Sequence, residues 1–192
     1  MTVNSLRRPA LALTALLIAT PALAAAPAPK VSIESYAQLK TPLPYPYDEA
    51  LSAKAASAAV AKARARALEA HKLLMIDLGG NWCGDCRVLS GAFELPEMKA
   101  FLDRHYEVVR VDVGRFDKNL QVPGAYGIHK RLEGVPALLI VDPKTNKLLD
   151  RGRESALQDA RSMTPQALAD WLAQWPSRQA PFLSRAAGKE RR

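Results

Sequence analysis

The clearest hydrophobic signal in the chain is the run Leu73-Leu74-Met75-Ile76-Asp77-Leu78, broken by a single acid. A short continuous apolar run of this kind predicts a strand covered on both faces. It leads through Gly79-Gly80 into Cys83-Gly84-Asp85-Cys86, where a helix is expected to start and run towards Phe93. Pro96 opens a second helical piece reaching His105, and residues 107–113 form a β-branched strand. Residues 117–132 read as a loop with a helix, and residues 135–141 as another strand. A turn at Asp142-Pro143-Lys144-Thr145-Asn146 sends the chain back as a hairpin strand over 147–151. Thr164-Pro165 supplies a cap and a first-turn proline for a last helix ending near Trp175. Before all of these, residues 48–71 are alanine-rich, with Asp48 and Glu49 at the start and Lys62, Arg64 and Arg66 later, the charge order of a helix. Strand, helix, strand, then hairpin and helix describe an α/β domain with a mixed central sheet flanked by helices. No internal repeat is present.

The N-terminus has a different pattern. Arg7 and Arg8 precede an apolar run over 10–20, and Ala22-Leu23-Ala24 offers a small-x-small cleavage site. This is the layout of a secretory signal peptide. The run is too short for a membrane span, which needs about 20 apolar residues. The division expected is therefore a signal peptide over 1–24, a proline-rich arm or linker over 25–47 with a short strand near 31–33, a domain over 48–176 and a basic tail over 177–192. The formal net charge of +8 must be read against this division. Removing the signal leaves about +6 and the tail carries about +4, so the domain itself is close to +2. With aromatics at 6% and the charge in the tail, the composition does not support nucleic-acid binding. The tail is at most a contact for anionic surfaces.

The sequence has two cysteines, Cys83 and Cys86. In an exported protein a pair usually means a structural disulfide, but a loop this short can stabilise little through closure entropy. Zinc would need two further ligands, and His71, His105 and His129 show no paired ligand spacing. Covalent haem attachment would need histidine after Cys86, where Arg87 stands. A reactive dithiol remains. At a helix start, free backbone N–H groups stabilise a thiolate, the attacking species in disulfide exchange. Cys83 is the expected nucleophile; Cys86, one turn on, is the resolving thiol.

The segment from Asp77 to Arg87 resembles the active-site region of the thioredoxin family. Trp82 precedes the first cysteine, and Asp77 stands six residues before Cys83 as the family's buried acid does. Tyr126-Gly127-Ile128 followed by Gly134-Val135-Pro136 is similar to the approach to the family's cis-proline. The resemblance spans about 73–175. It implies a thioredoxin-like fold, with Asp77 exchanging a proton with Cys86 and Trp82, Val135 and Pro136 positioning the substrate. Two departures stand out. Asp85 replaces the usual proline between the cysteines, and a carboxylate there is expected to oppose a Cys83 thiolate and a strongly oxidising pair. His129-Lys130-Arg131-Leu132-Glu133 lengthens a loop that should border the site.

The function expected is thiol–disulfide exchange with protein disulfides in the periplasm, as a monomer and more in the reducing than the oxidising direction. No cofactor is implied, and a membrane electron-delivery protein is expected to re-reduce the dithiol. The competing readings are a thioredoxin-like binding or redox-sensing protein without turnover and a thiol metallochaperone.

Overall fold

The computed structural model describes residues 26–176; the expected signal peptide and basic tail lie outside the described residues. Helix α1 (Ala53–Glu69) presents Ala56, Val60, Ala63 and Ala67 as one buried stripe at helical spacing. It starts five residues later than the charge pattern predicts. Asp48 instead closes a turn, its Oδ1 accepting from the Ala50 amide at 3.0 Å, and Ser52 caps the helix by accepting from Ala55 N–H.

Strand β1 (Leu73–Gly79) is buried along its whole length. It is followed by α2 (Gly84–Phe93), α3 (Pro96–His105) and β2 (Tyr106–Asp112). The remaining elements are a single turn α4 (Gln121–Gly124), β3 (Ala137–Asp142), β4 (Lys147–Leu148) and α5 (Pro165–Ala173). The sheet order is β2-β1-β3-β4, with β1 parallel to β2 and antiparallel to β3, and β3 antiparallel to β4. Alternation along β1 divides the core. Leu74, Ile76 and Leu78 pack with α1, Val111 and Leu139, while Leu73 and Met75 pack with Leu89, Phe93, Leu138 and Leu172. The mixed sheet flanked by helices is the α/β architecture expected.

Three local expectations are corrected. The returning hairpin strand stops at Leu148 rather than 151, because the Asp150 carboxylate takes a ladder position and accepts from Ile140 N–H at 3.0 Å. The helix expected within 117–132 is reduced to the four residues of α4. Residues 31–33 form no strand, since side chains take their amides: Gln166 Oε1 accepts from Val31 N–H and Glu97 Oε1 from Ser32 N–H. The proline-rich segment is thus seated across α5 and α3. It continues along α2, where Arg87 donates to the carbonyls of Leu43 and Pro44 at 2.8 and 3.1 Å. Its end delivers Tyr47, 4% exposed, into the core.

Candidate active site

Cys83 is the N-cap of α2, as the motif predicts. It is bonded to Cys86 with a Cα–Cα separation of 5.3 Å, so the site is in its oxidised form. Capping brings the Cys86 amide N–H to 3.1 Å from Cys83 Sγ. In the reduced protein that amide and the helix end favour negative charge on Cys83. Cys86 is fully buried and Cys83 is 5% exposed, so the outer sulfur is the one a substrate reaches first.

The Val135–Pro136 peptide bond is cis, Pro136 is buried, and the Val135 carbonyl oxygen lies 3.4 Å from Cys83 Sγ. Residues 52 positions apart in sequence are thereby brought together. Trp82 is no core aromatic. It is 44% exposed, donates from Nε1 to the Gly114 carbonyl at 2.7 Å, and meets Phe116 edge-on. The structure therefore brings Cys86 and the Val135 carbonyl against Cys83, with the exposed Trp82 next to it in the chain.

Asp77 lies beneath, fully buried, on the same face of β1 as Gly79. Burial raises its pKa to about 6, against the lowering effects of Arg110 and of a hydrogen bond from Tyr47. Tyr47 Oη donates to Asp77 Oδ1 at 2.8 Å, and Arg110 Nε lies 3.7 Å from Oδ2. Desolvation and the adjacent Asp77 push the Tyr47 phenol well above its ordinary range, so it remains a donor. Asn81 anchors this residue, accepting from Tyr47 N–H at 3.1 Å and donating to its carbonyl at 2.9 Å.

The space for this arrangement comes from Gly79. A Cβ there would overlap the Tyr47 hydroxyl and come within 2.9 Å of Cys86 Sγ, so Tyr47 and the resolving sulfur share the ground above one glycine. Gly79→Ala is expected to cost roughly 2–3 kcal/mol, through overpacking and the displaced Tyr47 hydrogen bond. Urea unfolding measures it, and unchanged stability would contradict the close approach.

Reasoning from sequence missed three residues here. Tyr47 sits in a proline-rich segment with no periodicity. Arg110 left a trace, a charge inside the β-branched run of β2. Arg161, in the 3-10 turn at Ala160–Ser162, left none. Arg161 is also the partner of Asp85. Its Nη2 lies 2.9 Å from Asp85 Oδ2 and its backbone N–H donates to Oδ1 at 2.9 Å, while its guanidinium passes over Gly84. The Asp85 charge is matched by a cation at the motif, and it no longer stands as an unopposed repulsion on Cys83.

Residues 55–143 match a family model described as thioredoxin-like. A solved structure, a disulphide isomerase from Xylella fastidiosa Temecula1, is 35% identical, with a TM-score of 0.59 over 68% of this chain and 96% of that one. The chain belongs to the thioredoxin-like family. No curated protein matches it. With a Cys-x-x-Cys pair at the start of the helix after its central strand, this thioredoxin-like chain is a thiol–disulfide oxidoreductase. Among the described residues, no helix is long and apolar enough to cross a membrane.

Proposed function

We propose that the protein reduces disulfides of other proteins after export, with residues 1–24 removed as a signal peptide and the domain over 48–176 working as a periplasmic monomer. In this reading the Cys83 thiolate attacks one sulfur of the substrate disulfide. The substrate S–S bond breaks and the first substrate sulfur leaves as a thiolate. Cys86 then passes its proton to the Asp77 carboxylate and attacks Cys83 Sγ. The mixed disulfide breaks, the second substrate sulfur leaves, and the Cys83–Cys86 bond remains, two electrons having passed to the substrate. Trp82, Val135 and Pro136 hold the substrate chain beside Cys83. A membrane electron-delivery protein restores the dithiol.

The observation that carries this reading is the buried Asp77–Tyr47 pair, whose Tyr47 hydroxyl shares the space over Gly79 with Cys86 Sγ. A carboxyl whose pKa is raised to about 6 by burial can take up a proton near neutral pH. The direction rests on what stabilises the reduced form. Arg161 is matched by Asp85, so that pair adds little net field at Cys83, and the group that touches its sulfur from the helix start is the neutral Cys86 amide. Modest stabilisation of the thiolate means a low potential.

Equilibration of the Cys83–Cys86 couple against defined glutathione or dithiothreitol ratios tests the direction. A value near that of thioredoxin, about −270 mV, is expected, and one near −120 mV, typical of a strong oxidant, would reverse the assignment. Insulin reduction separates turnover from stoichiometric capture by a non-catalytic binding protein.

A further inference from the structure

The lengthened loop has no part in the exchange chemistry, yet it stands next to it. The Gly134 carbonyl, one residue before Val135, accepts from Ser155 Oγ at 3.1 Å, and Gln158 packs against Gly134. Ser155 and Gln158 line a cavity of about 600 Å³ together with the loop over 129–133. The backbone that meets Cys83 Sγ thus runs directly into this cavity.

Its charge is uneven. Lys130, Arg131, Arg151 and Arg153 line it against Glu133 and Glu154. Lys130 and Glu133 lie 3.8 Å apart, but both are largely exposed, so their pairing offsets little of either charge. Arg131 is held by an aromatic face, its guanidinium 4.3 Å from the Phe116 ring centroid. Phe116 meets Trp82 edge-on at 6.2 Å, and Arg115 lies over Trp82 at 4.7 Å. Two exposed arginines are therefore stacked on a connected aromatic pair beside the reactive cysteine. Neither forms an ion pair among the described residues, while Arg161, also beside the motif, is matched by Asp85. A guanidinium stacked on a ring keeps its edge N–H groups free for a carboxylate and has already lost part of its rotamer freedom.

We propose that the 129–133 loop, Arg151 and Arg115 form a subsite for an acidic stretch of polypeptide flanking the substrate's cysteine. This deepens the disulfide-exchange reading and rests on it for the kinetic consequence. Binding does not depend on the sulfur chemistry: a cysteine-free peptide rich in Asp and Glu should bind the oxidised chain. Exposed cationic sites of this kind act by steering and are screened by salt.

The test uses the whole chain and three sets of peptides matched in length, with acidic, neutral or basic residues around the central position. Cysteine-free versions are titrated by calorimetry, and versions carrying a disulfide are followed for kcat/KM. At low ionic strength the acidic peptide should bind about 10-fold more tightly than the basic one and be turned over with a similar preference. Both preferences should approach parity at 0.5 M salt. Arg131→Gln and Lys130→Glu should each lower the acidic-to-basic ratio several-fold, and the salt titration reads the same effect without any substitution. Equal binding of the three cysteine-free peptides, or a preference indifferent to salt, would overturn the subsite. Charge-selective binding with no turnover of any disulfide peptide would support the subsite and overturn the exchange reading alone.

Discussion

Serine at Cys83 is expected to lower disulfide reduction by roughly 10³-fold or more, because the alcohol cannot replace the thiolate as attacking group. Serine at Cys86 should have a different consequence. Cys83 stays at the helix start with the Cys86-position amide directed at its sulfur, so the first attack survives. Without the buried thiol the reaction stops at the mixed disulfide. Incubation with a substrate disulfide and acid quenching should show that covalent adduct accumulating stoichiometrically in Cys86→Ser and absent in Cys83→Ser. An adduct on Cys86 in the Cys83 variant would mean that the inner, fully buried sulfur is the reachable one, against its exposure.

Asp77→Asn should separate stability from turnover. In the unfolded chain this carboxyl titrates near 3.8, and in the folded protein it is raised to about 6 by burial. Between those values the unfolded chain releases its proton first as pH rises, so stability falls across that window and the full penalty persists above it. Two units correspond to about 3 kcal/mol at pH 8. Asparagine keeps an oxygen for the Tyr47 hydroxyl and carries no charge, so the oxidised variant should match the parent near pH 4 and exceed it by that order at pH 8. Asp150, also buried and raised to about 7, titrates in the same direction in both proteins, so the variant-minus-parent difference is the quantity to measure. Urea unfolding at pH 4, 6 and 8 gives it, and a difference independent of pH would remove Asp77 as a buried ionisable group. The same variant should resolve the mixed disulfide more slowly, by roughly 10- to 100-fold near neutral pH, for want of the carboxylate proposed to take the Cys86 proton.

Much of the site was legible because its parts are local. An apolar run interrupted by one acid, two glycines, then Trp82 and the paired cysteines specify a buried strand, a turn and a capped helix within about a dozen positions. Short-range hydrogen bonding and hydrophobic alternation decide such structure with little help from the rest of the chain. The resemblance of Gly134-Val135-Pro136 to a family segment carried the one long-range piece, the carbonyl that meets Cys83.

What lacked a local signal was decided by packing. Tyr47 comes from a segment without periodicity, and its role exists only because Arg87 and Asn81 fasten that segment against α2 and β1. The effect of Asp85 could not be judged from its place between the cysteines, since its ion-pair partner is Arg161, 76 residues away. The helix predicted from Asp48 starts later and the strand predicted to 151 stops earlier, where the side chains of Asp48 and Asp150 outcompete the regular backbone pattern. The sequence by itself determined the order of elements, the reactive pair and the buried acid, because each is written in neighbouring residues. Only the tertiary structure decided what surrounds the two charges at the site. A carboxylate's effect is set by the nearest countercharge and its solvent exposure, and both depend on residues that meet only when the chain is folded.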